Sequence, residues 1–213
     1  MAISERQRQK KLAEKARKRK RSVEKRKHDV SLFKAKASAY AIFPIHECLI
    51  PDNFFEVGLG SVIVSRKAPD GRIALSAFVV DIYCLGVKNA FFKLVSESEY
   101  DLKYKMSMIA AHEGATFKPV SPECVRKLIE GAVAYAAELG FSYHPDYENA
   151  KGIFGDIDSS SCSESFTYGK DGKPFYVQGP YETRAQAQRI VEQLHEHCGE
   201  GGYHFLIELE PGF

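Results

Sequence analysis

The chain has 213 residues and is 44% hydrophobic, with 14 Phe and 11 Tyr. This length suits one well-filled domain, and this apolar content excludes wholesale disorder. No apolar run approaches the length of a membrane span, and no apolar stretch follows the basic N-terminus as it would in a secretory signal. The sequence therefore predicts a protein without a membrane partner.

The net charge of +2 conceals a strong division along the chain. Residues 1–28 carry 13 Lys and Arg against three Glu, a balance of +10. Of the 30 basic and 28 acidic residues in total, 17 and 25 remain for the rest of the chain, a balance of −8. Such asymmetry between segments indicates a polyanionic partner for the basic one.

Residues 1–37 are predicted to form a basic N-terminal arm, helical or disordered, ahead of a single domain over residues 38–213. No Gly or Pro interrupts residues 4–36, and strong helix formers dominate there. The apolar positions form too thin a seam for a coiled coil or for a helix lying in a membrane surface. Like charges four residues apart oppose the isolated helix, so we expect it to form when its charges are neutralised.

The cations of the arm are the predicted nucleic-acid-binding residues. Each phosphate that Lys or Arg neutralises releases counterions, and Arg pairs with phosphate in a bidentate way. RNA is favoured over DNA because the sequence shows neither a dimerising zipper nor a helix-turn-helix that would read a duplex groove. A solubilising tail or a targeting signal is the alternative. The predicted binding residues are Arg6, Arg8, Lys10, Lys11, Lys15, Arg17, Lys18, Arg19, Lys20, Arg21, Lys25, Arg26 and Lys27.

The domain is predicted to be α+β, with a mostly antiparallel sheet and helices packed on one side. The segment "AYAIFPIHECLIP" is expected to be extended chain. A hairpin is predicted where the turn residues "APDG" separate "GSVIVSR" from "RIALSAFVVDIYC". A second hairpin is predicted around "KDGK", between "SFTYG" and "PFYVQG". The segment "YHFLIEL" predicts a C-terminal strand.

Four helices are predicted between and after these hairpins. Ser96 opens a capping-box pattern directly before residues at helical spacing. Ser121 is expected to cap the clearest helix of the chain, and Gly140 to end it. A shorter helix is expected from Pro145, and Thr183 is predicted to cap the last one.

Asp81 is the first catalytic candidate. Strand alternation places it on an apolar face of the first hairpin, where an unpaired carboxylate is costly. With Glu97, Glu99 or Asp101 it would form a Mg²⁺ site of the nuclease type. The alternatives are that the end of the strand is exposed there, or that Lys88 or a backbone N–H pairs with it.

The five cysteines show no short paired spacing. This pattern favours reduced thiols in a cytoplasmic protein over a disulfide framework. Cys84 is the other catalytic candidate, and His46 with Cys48 forms a second thiol and base pair in sequence. Buried, inert cysteines are the alternative for both.

Three residues near the last helix are of zinc-ligating types, and a cluster of aromatic and basic residues surrounds the second hairpin. For the residues near the last helix, the favoured interpretation is that the histidines are exposed to solvent, and neither a metal nor a cofactor is predicted. The aromatic side chains would stack on bases, unless strand alternation turns half of them into the core. The first group is His195, Cys198 and His204, and the second is Phe175, Tyr176, Tyr181, Lys170 and Lys173.

Two blocks, "VVDIYCLGVKNAFF" and "FTYGKDGKPFYVQGP", resemble stretches in uncharacterised bacterial proteins. The resemblance implies a bacterial origin and a shared domain, and it brings no activity or site residue with it. Together these features lead to the hypothesis of a nucleic-acid-binding protein, acting alone or as a subunit of a ribonucleoprotein. A metal-dependent hydrolase or nuclease centred on Asp81 and a protein-interaction module of a larger assembly are the alternatives.

Overall fold

The computed structural model describes residues 36–112 and 114–207. Residues 1–35 of the predicted arm, with all thirteen binding residues, lie outside this range, and so do the last residues of the predicted C-terminal strand. Lys36 and Ala37, the predicted end of the arm, are described, and Ala37 is buried. The described chain is α+β, as the sequence predicts. None of its described helices is long and apolar enough to cross a membrane.

A five-stranded antiparallel sheet lies at the centre, in the order β4-β3-β2-β1-β5. The predicted first hairpin is confirmed, because β2 and β3 pair from Lys67 opposite Ile73 to Leu59 opposite Asp81. The strands are β1 (Ile45–Pro51), β2 (Leu59–Lys67), β3 (Ile73–Asp81), β4 (Gly86–Val95) and β5 (Phe117–Pro119), followed outside this sheet by β6 (Phe175–Val177) and β7 (His204–Leu206).

Strands β4 and β5 are absent from the elements that the sequence predicts. Strand β4 pairs with β3 along its whole length, with a register shift between Val79 and Val80. Its buried, half-buried and exposed residues do not alternate regularly, so no period of two is visible in the sequence. Strand β5 has only three residues.

Helices cover both faces of the sheet, so the expectation of helices on one side is wrong. Helices α3 and α4 lie on the face that carries Phe78 and Val80. On the opposite face, Tyr100 of α2 packs against Ile63 and Leu75. The helices are α1 (Phe54–Val57), α2 (residues 97–110, in the three consecutive pieces Glu97–Glu99, Tyr100–Lys105 and Met106–Ala110), α3 (Pro122–Glu138), α4 (Tyr147–Ala150) and α5 (Arg184–Cys198).

The predicted helix caps are confirmed. The Ser121 hydroxyl accepts a hydrogen bond from the Cys124 N–H at 3.3 Å, and α3 gives way to Gly140 with φ +78°. The Thr183 hydroxyl and the Gln186 side chain each accept from the other's backbone N–H, which completes a capping box at α5. These side chains satisfy N–H groups that a helix start leaves without partners.

Of the predicted second hairpin, only the turn is observed. Asp171 and Gly172, with φ 53° and 79°, form the tight turn, and Lys170 and Lys173 exchange backbone hydrogen bonds across it. Beyond the turn, β6 pairs in parallel with β7 rather than antiparallel with the preceding segment. Strands β6 and β7, connected through α5, thus form a βαβ unit, and β7 does not join the central sheet.

Cys124 and Cys162 form a disulfide with their Cα atoms 5.0 Å apart, so the prediction of reduced thiols is wrong for this pair. The bond joins the first turn of α3 to the polar loop that follows α4. Lys127 Nζ holds the same loop by donating to the carbonyls of Cys162 and Glu164. Because the two cysteines are 38 residues apart, no short spacing in the sequence indicates their pairing. The free cysteines are Cys48, Cys84 and Cys198.

Candidate functional sites

Asp81 ends β3 and turns its carboxylate into the loop that leads to β4. Its Oδ1 atom accepts hydrogen bonds from the N–H groups of Tyr83 and Cys84, each at 2.9 Å. The side chain is almost fully buried, and this burial raises its pKa to about 6 although Lys88 and the backbone N–H groups oppose the rise. Lys88 and backbone N–H groups, which the sequence suggests as partners in place of a metal, therefore both interact with Asp81.

The acidic residues proposed to share a Mg²⁺ ion with Asp81 lie at the other end of the sheet. Glu97 follows β4 and forms an ion pair with Lys67 at 2.9 Å. Asp81 pairs with Gly86 at the opposite end of the same two strands. At about 3.4 Å per residue the ends of β3 are about 27 Å apart. The predicted Mg²⁺ site is therefore not assembled.

The two thiol candidates are protonated and buried. Burial raises the pKa of Cys84 far above its ordinary value, and it raises the pKa of Cys48 to about 12. His46 lies against the ring of Tyr100, with centroids 5.7 Å apart, in the cluster on the other face of the sheet from Cys48. Neither thiol has the lowered pKa that a nucleophile needs.

The histidines near α5 are exposed, as the sequence analysis favours. His195 lies edge-on to Tyr203, and His197 bonds to Gln193. Within residues 36–112 and 114–207, no group of three or more His, Cys, Asp or Glu is arranged to hold a metal ion.

The aromatic residues of the second turn are divided between core and surface. Tyr176 is fully buried, whereas Tyr181 is 96% exposed. Lys170 Nζ lies 4.9 Å from the ring centroid of Phe175 and 6.0 Å from that of Tyr83. The expectation that alternation turns part of this group into the core is confirmed for Tyr176.

A half-buried polar network beside Asp81 was not visible in the sequence. Lys88 Nζ forms an ion pair with Glu182 at 2.8 Å, and the Tyr176 hydroxyl donates to the same carboxylate at 2.8 Å. The N–H of Gly179 donates to it as well. Together these bonds join β4 to the βαβ unit, and the pairing crosses more than 90 residues, which no local pattern reveals.

A cleft of about 490 Å³ lies between α3, α4 and the segment that begins the described chain. Tyr143 and Tyr147 form its aromatic wall, with ring centroids 5.0 Å apart and an edge-on arrangement. Lys151 Nζ lies 5.9 Å from the centroid of Tyr143 and 5.4 Å from that of Tyr147. On the other wall, the Arg126 guanidinium lies 6.0 Å from the ring centroid of Phe154. We call this the tyrosine cleft.

Each cation of the tyrosine cleft has an acidic partner. Arg126 Nε donates to Glu130 at 2.7 Å, and Lys151 Nζ lies 3.0 Å from Glu148. Glu148 also accepts from the Tyr143 hydroxyl, and this hydrogen bond raises the pKa of that tyrosine. The pairs leave the cleft close to neutral and rich in aromatic faces, which suits a planar, uncharged group better than a phosphate.

Tyr143 also lines a second cleft, of about 330 Å³. Lys88, Phe141 and His144 are among its lining residues, so it reaches the half-buried polar network around Glu182. Tyr143 is 37% exposed, whereas its neighbour Tyr147 is 4% exposed. Tyr143 is therefore a solvent-accessible residue that lines both clefts.

The tyrosine cleft lies next to the residues that connect the arm to the domain. Ser38, two positions after the first described residue, lines it together with Gly152 and Gly155. The connecting segment is held by buried Arg66, which donates to the carbonyls of Phe43, Ile153 and Phe154. Ser38 and Phe43 thus belong to the packed part of the described chain.

Comparisons with known proteins found no relative of the chain. No protein-family model, no curated protein and no solved structure matches the chain. The function is therefore argued from the charges and contacts of the chain itself.

Proposed function

We propose that the protein binds nucleic acid, RNA in preference to DNA, through its basic arm. The observation that carries the proposal is the division of charge, +10 over residues 1–28 against −8 over the rest. A cationic segment of this density gains affinity for a polyanion by releasing condensed counterions. An acidic domain repels the same polyanion, so the arm supplies most of the attraction.

The contacts around Asp81 favour binding over catalysis. Its Oδ1 atom is occupied by two backbone N–H groups, and the acids proposed to join it lie at the other end of the sheet. The buried thiols of Cys48 and Cys84 have raised pKa values. These observations weaken the hydrolase alternative and leave a binding role, alone or as a subunit of a ribonucleoprotein.

We propose further that the protein is bacterial, as the resemblance implies, and that it acts in the cytoplasm, where an RNA-binding protein would meet RNA. In a reducing compartment the Cys124–Cys162 bond exchanges with cellular thiols, because cytosolic disulfides are mostly transient. The proposed location therefore predicts that both the bonded and the reduced form occur in the cell.

The test is to delete residues 1–28 and to measure the affinity for single-stranded RNA at several salt concentrations. The intact chain should bind with a steep salt dependence, a slope of about −0.7 for each phosphate neutralised on a single strand. The deletion should remove most of the affinity and flatten the slope. A duplex DNA of equal length tests the preference for RNA, and circular dichroism checks that the shortened chain is folded. Unchanged affinity and slope would contradict the proposal.

A further inference from the structure

We infer that Tyr143 is a stacking platform for unpaired bases, with one base of a single strand entering the tyrosine cleft and the next entering the cleft on the other side of the ring. The inference rests on the proposed function, because it assigns a second contact to the nucleic acid that the arm attracts. Its ligand is a single strand with accessible bases, whether RNA or DNA.

The first support is the position and exposure of the ring. Tyr143 lines both clefts and is 37% exposed, so it is accessible to a ligand, while the ring of Tyr147 packs edge-on against it at a centroid distance of 5.0 Å. A buttressed aromatic side chain loses little freedom when a base stacks on it. Aromatic stacking of this kind accepts every base, since each has a π-face.

The second support is the charge of the cleft. Arg126 and Lys151 are paired with Glu130 and Glu148, so the cleft offers polar groups and rings without a net charge. A phosphate would gain little from such a site, whereas a neutral base gains contact with Tyr143 and with the alkyl stem of Lys151. The phosphates are left to the arm, which carries the cations.

The third support is the connection to the arm. Lys36 and Ser38 join the arm to the domain, and Ser38 lines the tyrosine cleft. A strand held by the arm is thereby tethered near the cleft, and its bases reach it at a high effective concentration. A cleft elsewhere on the domain would not gain from this linkage.

The volumes of the two clefts fit the ligand. The tyrosine cleft measures about 490 Å³ and the second about 330 Å³, the range of sites for small organic groups. A base within a duplex is stacked and paired, and it cannot enter either cleft without being extruded. The arrangement therefore favours single strands over duplexes.

The experiment compares two oligomers on the full chain. One is a fluorescein-labelled oligouridylate, and the other is an abasic phosphodiester oligomer of the same length and charge. The variants are Tyr143→Ala, Tyr143→Phe and, as a matched control, Phe55→Ala, which removes an aromatic ring that is 40% exposed and does not line either cleft. Fluorescence anisotropy at fixed salt gives each dissociation constant.

The unaltered chain should prefer the oligouridylate to the abasic oligomer by about fivefold or more. Tyr143→Ala should abolish this preference and leave the affinity for the abasic oligomer unchanged, whereas Tyr143→Phe and Phe55→Ala should keep the preference. An oligodeoxyuridylate should lose affinity on Tyr143→Ala by the same factor as the oligouridylate, because the ring stacks on the base and not on the sugar.

Three outcomes overturn the inference. Equal affinity of the unaltered chain for the two oligomers shows that the arm alone binds, and a preference that survives Tyr143→Ala places stacking elsewhere. In both cases the proposed function stands. If the full chain binds neither oligomer, the proposed function fails, and the assignment of the clefts to bases fails with it.

Discussion

At the scale of single residues, Asp81 shows how far a sequence pattern reaches. Alternation along β3 marks it as an acid that needs a partner, and it is almost fully buried. The partners are the N–H groups of Tyr83 and Cys84, two and three residues further along the chain. A bond of this kind depends on the turn of the loop, which periodicity does not describe. The sequence could therefore predict that Asp81 needs a partner, but not which groups are that partner.

The raised pKa of Asp81 predicts a dependence of stability on pH. Because its folded pKa of about 6 lies above the ordinary pKa of 3.8, the folded chain binds a proton more tightly than the unfolded chain does. Its stabilising contribution is complete below about pH 4 and is lost as the pH rises through about 6. Over this window the change amounts to about 2–3 kcal/mol.

Replacing Asp81 by Asn should remove this dependence. The amide oxygen can accept both bonds that Oδ1 now accepts, and the side chain no longer ionises. Urea unfolding at pH 4.5 and pH 7.0 should show the Asn variant gaining stability relative to the unaltered chain at the higher pH. Asp81→Ala leaves two N–H groups without a partner and should cost about 2–5 kcal/mol at either pH. A difference between Asn and Asp that stays constant with pH contradicts the argument.

At the scale of elements, the packing of the β3–β4 hairpin on α3 depends on Gly86. This residue has φ +64°, and a Cβ atom there would lie 2.9 Å from the Ala132 carbonyl oxygen and 2.9 Å from the Ala136 Cβ. Gly71, in the turn of the first hairpin, has φ +82° and open space around it. The two glycines share a backbone conformation and differ in crowding.

Alanine at these two positions should separate strain from crowding. Gly71→Ala should cost about 1–2 kcal/mol, the penalty of the left-handed conformation alone. Gly86→Ala adds an overpacking cost against a helix backbone, for a total of about 2–5 kcal/mol. Chemical denaturation of both variants measures the difference, and equal losses would show that α3 yields to the added methyl group.

The disulfide predicts a redox-dependent stability. It closes a loop across 38 positions and fastens the polar loop to the start of α3. Reduction with dithiothreitol should lower the free energy of unfolding by about 2–4 kcal/mol, since the unfolded chain regains freedom. The double variant Cys124→Ala/Cys162→Ala serves as control, because the free cysteines should give it no response to the reductant. An unaltered chain that melts at the same temperature with and without reductant refutes the prediction.

The elements themselves divide into those that local signals determine and those that distant contacts determine. The β2–β3 hairpin and helices α3 and α5 were predictable, because turn residues, caps and periodicity lie within each segment. The pairing of β6 with β7 joins segments separated by a helix, and the central sheet gains β4 and β5 only through tertiary packing. The residues that line the tyrosine cleft are likewise spread along the chain from Ser38 to Gly155, and no sequence motif predicts the cleft.

At the scale of the whole molecule, the arm and the acidic domain make opposite electrostatic contributions. Thirteen cations lie within the first 28 residues, and the remaining residues sum to −8. If the arm neutralises phosphates, then the number of cations in the arm, rather than the number in the protein, sets the salt dependence of binding. This distinction is measurable because both parts contain cations that can be exchanged for Gln in equal number.

One variant replaces the five consecutive cations at positions 17–21 by Gln, and a matched variant replaces five exposed cations of the domain: Lys93, Lys118, Lys170, Arg184 and Arg189. On single-stranded RNA the arm variant should reduce the slope of log K against log salt by up to about 3.5, since each lost phosphate contact contributes about 0.7. The domain variant changes the net charge equally and should leave the slope nearly unchanged. Equal reductions in the two variants would mean that binding follows net charge, and the arm would then have no special role.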